Sequence, residues 1–387
     1  MQIFKNLIIS SIFLIFFLVL IIILIEYTNI FKSVWAPGYE NKDMKYVYKS
    51  QGFSEDYWNK FSIEGSLVSI SNYEDYYYVS PSLIENEYIN IVDYYNSRKV
   101  NYISNLEDAK LKIWFFGGST MLDLGVEDKL TIPSSVARRF FEEKKDVFIA
   151  NFGTNGFNTT LERIKFIELL HKVSSQEIPD KVIFYHGVND ASYSYNYKSP
   201  YAMPHYMSKG IKIIVNQDHK GLILYGLERY FWRSAAVLSS AIKRLQKIIV
   251  NEEKNFTKIN IQKSVDKEIK KAVNYYLKNE SIINSVCIEY KIKCYFILQP
   301  NLLTKSNPTE FEKLKLKNLS NDFKNWQKKY YQLIKESNKN YIFYDLSEIF
   351  NSNNKYSDYT DFIHLGPLSS AKIGNSIYDL IFNDKLN

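Results

Sequence analysis

Hydrophobic positions along this chain follow several patterns. One is continuous: residues 7–25 are apolar and uncharged apart from Ser10 and Ser11, long enough to cross a hydrocarbon core of about 30 Å as a helix. Lys5 precedes the run, Glu26 follows it, and no small-x-small cleavage motif intervenes. An uncleaved transmembrane anchor over 1–27 is therefore expected, rather than a signal peptide. An N-terminal anchor with a long remainder usually leaves that remainder outside the cytoplasm, the expected location here. From residue 112 onward, short runs apolar at every position alternate with longer amphipathic ones. The short runs predict strands at 113–116, 147–151, 181–185, 293–298 and 341–344, the first of them buried on both faces. Helices are expected over 133–144, 160–173 and 367–382. The alternation is that of an α/β domain, a parallel sheet of about five strands covered by helices.

Two stretches break the rhythm. Over 191–286, a helical insertion is expected, in which Leu238, Ile242, Leu245 and Ile249 recur at helical spacing among Lys243, Arg244 and Lys247. Such a face buries against the domain, lies on a membrane or forms a lid. Over 308–337 the pattern is one charged amphipathic helix or two. Before the domain at 111–387, residues 28–110 are rich in Tyr, Asn and Ser and lack a long helical period, with short strand candidates at 76–79 and 88–92. This segment is expected to be an irregular lead-in packed on the domain.

Composition narrows the function classes. A chain 46% hydrophobic and 24% charged folds. The net charge of +7 is spread without a basic run, so no nucleic-acid partner is expected. Cys287 and Cys294, the only cysteines, could bond outside the cytoplasm, but they are too sparse for a disulfide framework and are expected to be reduced and packed. His171, His205 and His219 have no metal-ligand spacing, and Gly117-Gly118-Ser119-Thr120 lacks the lysine of a phosphate-binding loop. Neither metal nor cofactor is expected.

The expected strand ends carry the chemistry. Gly117-Gly118-Ser119 follows the first, Asn151-Phe-Gly-Thr-Asn-Gly156 the second and Gly187-Val-Asn189-Asp190 the third, while Asp361-x-x-His364 precedes the last helix. In a parallel sheet these ends share one edge, where ligands bind. Ester hydrolysis needs a nucleophile, a base, a group that orients the base, and donors for the oxyanion. Ser119 supplies the hydroxyl, His364 a base that titrates near neutrality, and Asp361 a carboxylate one turn away. The backbone NH groups of Ser119 and Gly156 and the Asn189 amide can supply the donors. His186 also ends a strand but has no carboxylate at convenient spacing, so a structural role is expected. Asp190 is expected to bond turn amides.

The four segments resemble, in order and spacing, the blocks of the SGNH (GDSL-type) hydrolases: Phe116-Gly-Gly-Ser119-Thr120, Asn151-x-Gly-x-Asn-Gly156, Gly187-x-Asn189-Asp190 and Asp361-x-x-His364. The resemblance covers 112–382 without the insertion and implies a flavodoxin-like three-layer α/β/α fold with Ser119, Gly156, Asn189 and His364 as site residues. One departure is that the family's Asp before the serine is Gly118 here. The resemblance, with the expected location, implies a serine ester hydrolase acting on acylated glycans or lipids, with a carbohydrate O-acetyl ester as first expectation. Rivals are an O-acyltransferase, in which a sugar hydroxyl intercepts the acyl-enzyme, a phospholipase or thioesterase, and a catalytically silent envelope scaffold.

Overall fold

Strands apolar at every position need cover on both sides, and the chain provides it with two separate cores. The computed structural model describes residues 17, 42–65, 71–74, 78–197, 258–352 and 355–382. Apart from Phe17 and 258–261, these belong to one of two compact units, made of 38–206 and 262–387. The expected membrane span at 7–25 and the amphipathic stripe at 238–249 lie outside the described residues. Among the described residues no helix is long and apolar enough to cross a membrane.

The sheet contains β3 (Ile91–Val92), β4 (Ser97–Arg98), β5 (Lys112–Gly117), β6 (Phe148–Asn151), β7 (Lys181–His186), β8 (Lys293–Leu298) and β9 (Phe343–Asp345), in the order β3-β4-β6-β5-β7-β8-β9. From β6 to β9 all pairings are parallel. Counted in chain order, these five strands run 2-1-3-4-5, the flavodoxin-like order. On one face, Ile113, Phe115, Ile183, Tyr185 and Ile297 pack under α4 (Ile132–Glu142) and α10 (Pro367–Phe382). On the other, Trp114, Phe116, Val182, Phe184 and Phe296 pack under α5 (Thr159–Lys172) and α7 (Lys258–Glu289). Alternating side chains of one strand thus feed opposite cores, giving three layers.

Several expectations change. In its described residues the lead-in is not irregular. It forms α1 (Lys42–Ser50) and α2 (Glu55–Gly65), a hairpin of β1 (Ser71–Glu74) and β2 (Tyr78–Pro81), and the antiparallel strands β3 and β4. Arg98 of β4 pairs with Asn151 of β6, so the lead-in extends the main sheet. Its helices are short and held by an aromatic cluster of Tyr48, Trp58 and Phe61, too short a repeat to show as a period. The end of the expected insertion falls within α7, whose Ile283 and Cys287 pack on the sheet. The region 308–337 is two helices, α8 (Glu310–Lys317) and α9 (Asn321–Glu336), each with a threonine or serine N-cap.

The cysteines are bonded to each other, not reduced: Cys287 and Cys294 form a disulfide with Cα atoms 6.1 Å apart. After α7 the chain reverses at once. Lys291 takes φ +57° and Ile292 N donates to Cys287 O at 2.8 Å, which brings both side chains into the same buried core.

Candidate active site

At the carboxyl end of β5 the chain turns through Gly117 and Gly118 into α3 (Ser119–Leu122), with Gly118 as N-cap and no side-chain cap. Ser119 is therefore not a helix cap. Its hydroxyl lies 2.8 Å from His364 Nε2, and His364 Nδ1 lies 2.6 Å from Asp361 Oδ2. The other Asp361 oxygen accepts from the NH groups of Ile363 and His364, at 2.7 and 2.8 Å, which fixes the loop in a tight turn around the carboxylate. Ser119 is buried, His364 about three-quarters covered and Asp361 half-buried. Sequence-distant residues thus form one hydrogen-bonded line, Ser119–His364–Asp361.

Electrostatics favour a basic imidazole. Burial pulls the His364 pKa down, but the Asp361 charge and hydrogen bond, with a smaller contribution from Asp123, outweigh it and raise the pKa above the ordinary 6.5. For Asp361, burial opposes the charge. The His364 ring and the two NH groups overcome it and hold the carboxyl below its usual range.

Two of the three candidate donors, Ser119 N and the Asn189 amide, flank Gly118, and the segment that carries the third, Gly156, runs beside them through Phe157. Ser119 N opens α3, so its NH has no intrahelical acceptor. Asn189 lies in the first turn of α6 (Val188–Asn196) and donates from Nδ2 to Phe157 O at 2.6 Å, leaving its second amide hydrogen for another acceptor. A Cβ on Gly118 would sit 2.5 Å from Asn189 Nδ2 and 3.0 Å from Phe157 O. Glycine at 118 is thus what allows the serine turn, the Asn189 amide and the Gly156-Phe157 segment to touch. Gly156 itself has φ +74°, a conformation that favours glycine.

His186 departs from expectation in its partners. It is buried and structural, but two carboxylates flank it, Glu162 from α5 and Glu280 from α7. Asp190 bonds across to α5 rather than within its own turn, accepting from Thr159 N and Oγ1. Asp123, one residue past α3, accepts from Ser370 Oγ and Ile132 N, fastening the serine turn to α10 and α4. Burial is the main reason its pKa rises to about 7. Arg98 is fully buried and donates to the carbonyls of Leu122, Asp123 and Val126 and to Asp128, so the lead-in grips the loop behind Ser119. Gln51, in the turn just after α1, grips the histidine side, bonding Ser357 O, Ser369 Oγ and Leu368 N. Among the described residues no group of His, Cys, Asp and Glu could hold a metal ion.

No protein-family model matches the chain, and no curated protein matches it. Solved structures do. An acetylxylan esterase from Geobacillus stearothermophilus is 10% identical with a TM-score of 0.39, over 72% of this chain and 98% of that one. An acetyl xylan esterase is 13% identical, TM-score 0.36, over 70% and 100%. An alpha/beta hydrolase enzyme from the metagenome of Lake Arreo, Spain, is 9% identical, TM-score 0.38, over 72% and 95%. At these scores the likeness carries no argument about activity, which rests on the site's own geometry.

Proposed function

We propose that this chain is an SGNH-type serine ester hydrolase that forms an acyl-enzyme on Ser119 and acts on carbohydrate O-acetyl esters outside the cytoplasm, anchored through residues 7–25. The hydrogen-bonded line Ser119–His364–Asp361 carries the reading. Ser119 Oγ attacks the ester carbonyl as its proton moves to His364 Nε2, with Asp361 holding the imidazolium. Charge developing on the carbonyl oxygen is met by Ser119 N–H, Gly156 N–H and the free hydrogen of the Asn189 amide. His364 then returns the proton to the leaving alcohol. Water, deprotonated by the same nitrogen, cleaves the acyl-enzyme to release the acid and restore Ser119.

The side of the site next to Gly156 supports a sugar as the leaving group. Asn189 and Tyr193 of α6 and Tyr197 at its C-cap, still in helical conformation, stand four residues apart and so share one face. Tyr193 donates to Gly156 O at 2.9 Å, and the exposed Tyr197 meets it edge-on at 6.0 Å. Aromatic rings with polar tips suit a partly wet surface of this kind. The purified chain should release acetate from O-acetylated oligosaccharides. Turnover of p-nitrophenyl acetate alone, with no glycan deacetylated, would remove the carbohydrate assignment. Acetyl transfer to an added unacetylated oligosaccharide in preference to water would make it an acyltransferase. Protease treatment of intact cells that left 28–387 untouched would count against the outward orientation.

Two further results are expected. Because His364 must be neutral to act, kcat/KM falls as pH drops through its raised pKa, so the acid limb has its midpoint above pH 6.5. Asp361→Asn removes the charge that lifts the ring, and the midpoint should move down; a pH profile that stays in place would refute this coupling. Gly118→Asp should lower kcat by about 100-fold by pushing the Asn189 amide away. Steady-state kinetics on a folded variant decide this, and an unchanged kcat would mean that Asn189 does not act at the oxyanion.

A further inference from the structure

Two of the three candidate oxyanion donors are carried by segments that one helix joins. Gly156 lies just before α5, whose N-cap is Asn158. Asn189 lies in the turn after β7, between His186 and Asp190. Thr159 and Glu162, three residues apart on one face of α5, hold that turn from both sides. Thr159 bonds Asp190, with N to Oδ2 at 3.2 Å and Oγ1 to Oδ1 at 2.6 Å. Glu162 Oε2 bonds His186 Nδ1 at 2.7 Å. The far side of the imidazole is held by α7, with His186 Nε2 3.0 Å from Glu280 Oε1. Tyr341 hydroxyl donates to the other Glu280 oxygen at 2.5 Å, and Asn279 Nδ2 to Thr159 Oγ1 at 3.0 Å. Glu162, His186 and Glu280 are all buried. Burial alone would lower the His186 pKa, but the two carboxylates raise it to about 10. At neutral pH the ring is then charged and both nitrogens donate.

We infer that Glu162, His186 and Glu280 form a positioning device that sets the distance between the Gly156 and Asn189 donors, acting on the reaction only through Asn189. No member touches the reacting atoms. An apolar trio would fill the same space with less desolvation. Charged hydrogen bonds instead fix the rotation of the β7–α6 turn relative to the start of α5, where a small displacement of Asn189 costs transition-state stabilisation.

The inference rests on the hydrolase reading, so its test separates the two. Fluorophosphonate labelling of the full chain at Ser119 reports the hydrolase reading. A double-mutant cycle between His186→Gln and Asn189→Ala reports the device. Asn189→Ala alone is expected to lower kcat by about 100-fold, and His186→Gln by roughly 10-fold with KM little changed. If the histidine acts through Asn189, its substitution costs less than about twofold in the Asn189→Ala background, a clear departure from additivity. Fully multiplied losses, or a loss in KM alone, overturn it. Where His186→Gln does not fold, Glu280→Ala serves in the cycle, with Glu280→Gln, which keeps an acceptor for Nε2, expected to retain most of the activity. If the parent fails to label, amide exchange still decides. Faster exchange confined to 155–159 and 187–190 in the folded variant supports the device, and unchanged exchange there rejects it.

Discussion

Ser119→Ala abolishes fluorophosphonate labelling and lowers ester turnover by roughly 10⁴- to 10⁶-fold, without loss of fold. The magnitude follows from the arrangement. Among the described residues no other hydroxyl is hydrogen-bonded to the His364 ring, the Thr360 hydroxyl bonding only the backbone carbonyl, so no second nucleophile inherits the base. His364→Ala costs a similar factor, because Ser119 then has no acceptor for its proton. The double variant is no worse than either single one, since the pair acts as a unit. The fold tolerates the serine change because the hydroxyl caps no helix and its one bond is to the imidazole. Thermal melts of parent and Ser119→Ala should therefore coincide. A well-folded Ser119→Ala that retains more than about one-hundredth of the turnover would place the nucleophile elsewhere.

Much of this site was legible because its residues stand at strand ends. The runs at 113–116, 181–185 and 293–298 announce strands because each is an apolar stretch too short for a helix, with a lysine only at the first position of the last two. Once strands and helices alternate, the ends of β5, β6 and β7 share an edge, and Ser119, Gly156 and Asn189 converge there by topology alone. Asp361 and His364 were legible for a local reason: three residues apart, they close one turn of loop.

The supporting charges were not legible, because their partners lie far away in sequence. Glu162 and Glu280, 24 and 94 residues from His186, look like ordinary polar positions of amphipathic helices until α5 and α7 are docked. Arg98 reads as one more surface cation in a polar segment, yet it ends buried on three carbonyls of the loop after Ser119. The order of the lead-in is hidden from the sequence for a related reason. Its helices are short, and its cohesion comes from aromatic packing and contacts with the main domain rather than from an internal period. The disulfide was missed because spacing alone does not reveal a tight reversal after α7.

The largest stability effect is expected at Lys305, which sits beneath the histidine loop. Its ammonium lies 2.8 Å from Glu312 Oε2 and 2.7 Å from Asp358 Oδ2, and all three side chains are fully buried. The carboxylates have other donors, Asp358 N and Thr309 N on Glu312 and Ser369 Oγ on Asp358, but none of these carries charge. Lys305→Met fills the same volume and removes the buried cation that both carboxylates bond, at a cost of about 3–5 kcal/mol. For a domain of this size that corresponds to a fall in Tm on the order of 10 °C. The damage should also reach the site. Asp358 lies three residues before Asp361, and its Ser369 bond joins the Gln51 contacts that hold the start of α10, so the His364 loop loosens along with the network. Adding Glu312→Gln and Asp358→Asn to Lys305→Met removes the stranded charge and should recover part of the lost Tm. If instead the triple variant melts lower than Lys305→Met, the cost lies in packing and hydrogen bonds rather than uncompensated charge, and the electrostatic account of this network fails.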